Sequence, residues 1–85
     1  MRNQPASSRE LDPELIRVGA TVRQMREMRG MTQEQLSCAA VLSRPYVANI
    51  EAGRAKPSAR AVARIADALS VPQISIIRPD APTAA

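Results

Sequence analysis

Residues 32–53 read TQEQLSCAAVLSRPYVANIEAG, and this stretch decides the fold. Thr32 with Gln35 three residues on fits a capping box, and Leu36 and Ala40 lie one turn apart, so a helix is predicted over residues 33–40. Val41 and Leu42 form a short connection. Ser43 then caps another helix, which tolerates Pro45 because first-turn amides have no intrahelical acceptor. Gly53 ends it. Within this helix only Val47 and Ile50 recur at a spacing that buries them together, while Arg44, Tyr46 and Asn49 fall elsewhere on the cylinder. The helix hides little of itself.

Outward from this stretch the pattern stays helical. Asp12-Pro13-Glu14 is a helix start, with Asp as N-cap and Pro at the first position. Leu15, Val18, Val22 and Met25 follow at helical spacing until Gly30 supplies a stop, which predicts a helix over residues 13–29. Ser58 caps a helix over residues 59–69 that buries Val62, Ile65, Ala66 and Leu69. After the Val71-Pro72 break, residues 73–77 read as a one-turn helix in preference to a short strand, although QISII also alternates by two. Residues 1–11 are expected to be a disordered arm and residues 78–85 a disordered tail. The expected fold is all-α, a compact domain of five helices over residues 12–77.

A chain of 85 residues buries only about 60–65% of its unfolded surface, so its isolated stability is marginal. With no Phe or Trp and one Tyr, the core must be built from Ala, Val, Ile, Leu and Met, and self-association is expected. No apolar run approaches eighteen residues and the N-terminus lacks a secretory pattern, so no membrane partner is expected and the compartment is read as cytoplasmic. Lacking histidine and a second cysteine, the chain is expected to hold no metal or cofactor. It is not expected to be an enzyme, having no histidine base, nucleophile–base pair or phosphate-cradling glycine loop. Cys38 has no basic neighbour to activate it and reads as a small packing residue.

The charge is unevenly placed. Residues 44–64 hold Arg44, Arg54, Lys56, Arg60 and Arg64 against Glu51 alone, and elsewhere seven arginines match seven acids. The formal excess of +4 therefore sits in one segment, and a clustered positive surface attracts polyanions, nucleic acid first. Two helices joined by about three residues make a helix-turn-helix arrangement. In such a unit the first helix crosses the DNA backbone and the second presents its N-terminal residues to base edges in the major groove. That use explains a helix with a narrow buried stripe.

The sequence resembles the Cro/CI-type (XRE-like, lambda-repressor-like) helix-turn-helix family. The likeness lies in Arg26, in residues 29–36 (RGMTQEQL), in SRPYV at 43–47, in IEAGR at 50–54, in Pro57-Ser58 and in IADAL at 65–69 with Val71. It spans roughly residues 18–77. The resemblance implies that Gln33 bonds a DNA phosphate and braces the recognition helix, with Thr32 beside it; otherwise Gln33 is a solvated helix-start residue. It implies that Ser43, Arg44, Pro45 and Asn49 read bases or flanking phosphates. Arg44 suits guanine and otherwise a phosphate; Asn49 suits adenine and otherwise stays an exposed amide. Pro45 offers only van der Waals contact, as to a thymine methyl, and is expected to discriminate weakly. The Tyr46 hydroxyl reaches a phosphate or the residue is purely structural. Arg54, Lys56 and Ser58 would clamp phosphate, with Arg60 at the rim and Arg64 solvated.

Arg26 and Glu51 match a buried ion pair of the family, which makes them fold residues. Val41 and Ser70 stand where the family often has glycine, so the turn at Val41 is expected to take another backbone path. Ile74, Ile76 and Ile77 form either a dimer contact or the closure of the core. The resemblance implies a sequence-specific transcriptional regulator, a repressor or controller, that binds double-stranded DNA as a homodimer on a two-fold symmetric operator and so joins the nucleoid. The alternative is an antitoxin or adaptor whose main role is binding a partner protein, a toxin or RNA polymerase. A prokaryotic or phage source is expected.

Overall fold

The computed structural model describes residues 12–77; the expected arm and tail lie outside the described residues. Five helices follow in order: α1 (Pro13–Met28), α2 (Gln33–Ala40), α3 (Arg44–Glu51), α4 (Ala59–Leu69) and α5 (Ile74–Ile77). The starts of the first four are set by side-chain caps read directly from sequence. Asp12 accepts from the Glu14 amide at 2.9 Å, Ser43 from Tyr46 at 3.1 Å and Ser58 from Ala61 at 3.0 Å. Thr32 and Gln35 form the reciprocal box at 3.0 and 2.8 Å. Each cap satisfies an amide that the helix itself cannot. The expected one-turn helix forms over Ile74–Ile77, with Gln73 in the turn before it, as the bonds from Ser75 to Pro72 and from Ile76 to Gln73 show.

The core is aliphatic. Val22, Leu36, Val47, Ile50, Ile65, Leu69 and Ile76 are its largest fully buried side chains. α1 packs on α3, α2 on both α3 and α4, and α5 closes against α1 and α4. Gly19 shows how tightly α1 and α3 meet. A Cβ there would overlap the Ile50 carbonyl oxygen and lie 2.7 Å from that of Glu51. A glycine inside a helix costs about 0.5–1 kcal/mol relative to alanine, and here that cost permits backbone-to-backbone approach.

The expectation for Val41 needs correction. The turn takes no alternative path: Val41 itself adopts the left-handed conformation, φ 57° and ψ 48°. Ser70 does the same after α4, at φ 60°. The reason is the hydrogen bonding around the turn. Leu42 N donates to Ser37 O at 2.9 Å and Val41 N to Cys38 O at 3.2 Å, closing the end of α2 as a glycine would. The valine side chain points to solvent, 71% exposed, so no core contact is displaced.

The conformation remains strained, by about 1–2 kcal/mol for a residue with a Cβ. Val41→Gly relieves it while adding about 0.5–1 kcal/mol of backbone entropy to the unfolded chain. A net gain of about 0.5–1 kcal/mol in urea unfolding is expected. A lower midpoint in the glycine variant would contradict the strain.

Candidate nucleic-acid interface

The buried stripe of α3 is Val47 and Ile50. Arg44, Pro45 and Asn49 are exposed, and Tyr46 and Ala48 are half-buried at the flanks. So narrow a stripe cannot fix the helix's orientation, and its ends are held separately. At the C-terminal end Glu51 is 3% exposed and receives both arms of the Arg26 guanidinium, at 2.7 Å from Nε and 3.0 Å from Nη2. Arg26 Nη1 donates to Met31 O at 2.7 Å, and Gln33 Nε2 donates to Glu51 Oε1 at 3.0 Å. One carboxylate thus ties α1, the start of α2 and the end of α3. The bond to Glu51 raises the Arg26 pKa above its ordinary value, against the lowering effect of desolvation. The raised pKa keeps the arginine's contribution intact below the ordinary arginine range and loses it only above.

At the N-terminal end, the Tyr46 hydroxyl accepts from the Ser58 amide at 3.1 Å while its ring packs against the core. The loop between α3 and α4 is held at both ends of α3. The amides of Arg54 and Ala55 donate to Asn49 O at 2.9 and 3.2 Å, and the last residue of the loop, Ser58, meets Tyr46. The loop therefore runs back from the end of α3 toward its start, and it carries the exposed Arg54 and Lys56. Among the described residues, the side chains of Arg44, Arg54, Lys56 and Arg60 make no hydrogen bond or ion pair. On α1, by contrast, Arg17 and Arg23 pair with Glu14 and Glu27 at 3.5 and 3.1 Å.

The structure brings Ser43, Arg44, Pro45 and Asn49 to one exposed helix and its cap, with Arg54 and Lys56 in the loop that follows. The hydroxyls of Thr32, Ser43 and Ser58 serve as cap acceptors, which leaves each its own proton to donate. Gln33 Nε2 keeps one N–H beyond the bond to Glu51. Tyr46 has a structural bond, and its hydroxyl proton remains for another acceptor.

Three expectations are corrected. Arg64 is not simply solvated: it is half-buried and Nη1 donates to Val41 O at 3.3 Å, because α4 packs along α2. Cys38 does not pack inside, since the buried side of α2 is formed by Leu36, Ser37 and Ala40 and the thiol faces out. Ile76 belongs to the core at 0% exposure, while Ile74 and Ile77 remain exposed at 46% and 44%. Sequence reading missed Gly19 and Arg29, whose Nε donates to Leu69 O at 2.8 Å. A glycine in mid-helix was the available signal for the first; Arg29 gave none, its partner lying 40 residues away.

An all-α domain in which a capped helix, a tight left-handed turn and a largely exposed second helix stand together is a helix-turn-helix domain. Comparison with known proteins agrees, and the chain belongs to the helix-turn-helix domain family, whose model matches residues 17–74. It is similar to the HTH-type transcriptional regulator y4dJ of Sinorhizobium fredii, 29% identical over 62 residues, or 73% of this chain and 80% of that protein. Among solved structures it resembles the restriction-modification controller protein C.AhdI from Aeromonas hydrophila. That match has a TM-score of 0.74 and 28% identity, over 75% of this chain and 97% of that one. It also resembles the clp gene regulator ClgR from Corynebacterium glutamicum, with a TM-score of 0.73 and 26% identity, over 81% of this chain and 73% of that one. The chain is a DNA-binding transcriptional regulator and not an enzyme. Among the described residues no helix is long and apolar enough to cross a membrane.

Removing one partner of the central tie strands the other. Arg26→Met leaves Glu51 buried with Gln33 as its only side-chain donor, and a loss of about 3–5 kcal/mol is expected in denaturant unfolding. A loss below about 1 kcal/mol would mean the pair does not hold the fold.

Proposed function

We propose that the protein is a sequence-specific regulator, a repressor or controller, that binds a two-fold symmetric operator as a homodimer with α3 in the major groove. The observation that carries this reading is the division among its cations. Among the described residues, Arg44, Arg54, Lys56 and Arg60 are exposed and without a side-chain partner, whereas Arg26, Arg29 and Arg64 are spent on carboxylate or carbonyl oxygens. Exposed, unpaired guanidinium groups beside a projecting helix suit phosphates and guanine edges. In this reading Arg44 and Asn49 contact bases, with Ser43 and Pro45 beside them. Gln33, Thr32, Tyr46, Arg54, Lys56 and Ser58 hold the phosphates on either side. The likeness to a restriction-modification controller and to a clp gene regulator supports control of transcription by a small DNA-binding protein.

In this reading a second copy docks through α5. Ile77 lines an apolar groove with Leu15, Val18, Pro57 and Val62, and Glu14 and Lys56 lie at the same groove. A two-fold axis repeats every contact in reverse, so in this reading the grooves of the two copies face each other. Two recognition helices on one side of the duplex then address half-sites about 34 Å, or a multiple of it, apart.

With about five phosphate contacts per domain, the log–log salt slope of binding is expected near −4 to −5 per domain. Lys56→Gln should reduce it by about 1 with little change in sequence preference, whereas Arg44→Ala should cost about 1–3 kcal/mol and relax specificity at one position. Filter or fluorescence titrations across salt concentrations measure both. Salt-independent binding, or equal affinity for unrelated duplexes, would refute the assignment.

Ile77→Glu, if soluble, should weaken operator binding by shifting dimer to monomer. Sedimentation that finds an unchanged dimer would reject α5 as the contact.

A further inference from the structure

The distribution of burial around α3 indicates which position faces most directly away from the domain, and it is not that of Arg44. Val47, Ile50 and the side chain of Glu51 define the inward side. At about 100° per residue, Pro45 lies on the opposite side of the cylinder. Asn49 follows it one turn along, and both are exposed. Arg44 and Tyr46 stand to either side, and Tyr46 is half-buried with its hydroxyl engaged by the Ser58 amide. Pro45 is therefore the outermost point of the first turn, the end of a recognition helix that approaches base edges.

Proline has no N–H and no polar side-chain atom. A base edge pressed against it loses water without gaining a hydrogen bond, which penalises the polar major-groove groups of every base. The major groove offers one apolar group, the C5-methyl of thymine, and 5-methylcytosine carries the same group. We propose that Pro45 reads a pyrimidine C5-methyl, and that this contact sets the preference at one position of each half-site. The inference rests on the regulator reading above and deepens it. The ring's chemistry alone predicts weak discrimination; its place at the point of closest approach makes it selective.

Burial of one methyl group corresponds to about a four-fold change in affinity per half-site. The test uses the full chain and a duplex recovered by selection from random DNA, with each thymine replaced in turn by deoxyuridine. One position per half-site is expected to lose about four-fold, and there 5-methylcytosine should bind more tightly than cytosine. Comparing the thymine and 5-methylcytosine duplexes identifies which source of the methyl is preferred. Both methyl effects should vanish in Pro45→Ser and Pro45→Ala, with helix content checked by circular dichroism. Methyl-insensitive binding, or a methyl effect that persists in both variants, overturns the inference while leaving DNA binding intact. Failure of any duplex to be enriched overturns the regulator reading itself, and this one with it.

Discussion

The carboxylate of Glu51 is the point on which the orientation of α3 depends. A helix that must leave most of its girth open can bury only two aliphatic side chains, Val47 and Ile50. Burial of that size, about 1.5–3 kcal/mol per side chain, holds the helix against the domain but permits rotation about its own axis. Directional bonds remove that freedom. Arg26 grips Glu51 with two nitrogens, Gln33 adds a third donor, and Arg26 continues to Met31 O. The close passage of Gly19 beneath the Ile50 and Glu51 carbonyls fixes the same end from below. At the other end the Tyr46–Ser58 bond fixes the rotation a second time.

How much of this was legible in the sequence follows from the range of each interaction. The caps at Asp12, Thr32, Ser43 and Ser58 are bonds across two or three residues, so their residue types reveal them. The buried stripes follow helical periodicity and were equally plain. The tie between Arg26 and Glu51 spans 25 residues and was accessible only through resemblance to a family, not through spacing. Arg64 on Val41 and Arg29 on Leu69 had no such guide. Ile76 differs from Ile74 and Ile77 only in where one short turn of α5 points, which packing against α1 and α4 decides.

Val41 illustrates a different limit. Local preference disfavours a β-branched residue at positive φ, and that preference predicted a changed turn. The chain instead keeps the turn and accepts the strain. The bonds from Leu42 to Ser37 and from Val41 to Cys38 depend on that geometry, and α2 and α3 must both reach the core. Tertiary packing outweighs a local term of about 1–2 kcal/mol. Recognition-helix geometry is thus set by the core and its ties, and the identity of residue 41 changes the stability more than the path.

The arginines complete this division. Without Phe or Trp the core is small, and the C-terminal ends of the helices are secured by guanidinium groups instead. Arg26 reaches Met31 O just beyond α1, Arg64 reaches Val41 O at the end of α2, and Arg29 reaches Leu69 O at the end of α4. Arg64 and Arg29 thus place positive charge where helix carbonyls lack partners, a favourable arrangement with the helix dipole, whereas Arg26 closes the connection between α1 and α2. Lysine, with a compact ammonium and no planar fork, could not satisfy Glu51 and Met31 O together as Arg26 does. The end of α3 is treated differently. Its Asn49 carbonyl takes the amides of Arg54 and Ala55 from the backbone that follows, so no arginine side chain is needed there. The guanidinium of Arg54 is thereby left without a partner among the described residues, next to the end of α3, where an anionic partner can take it.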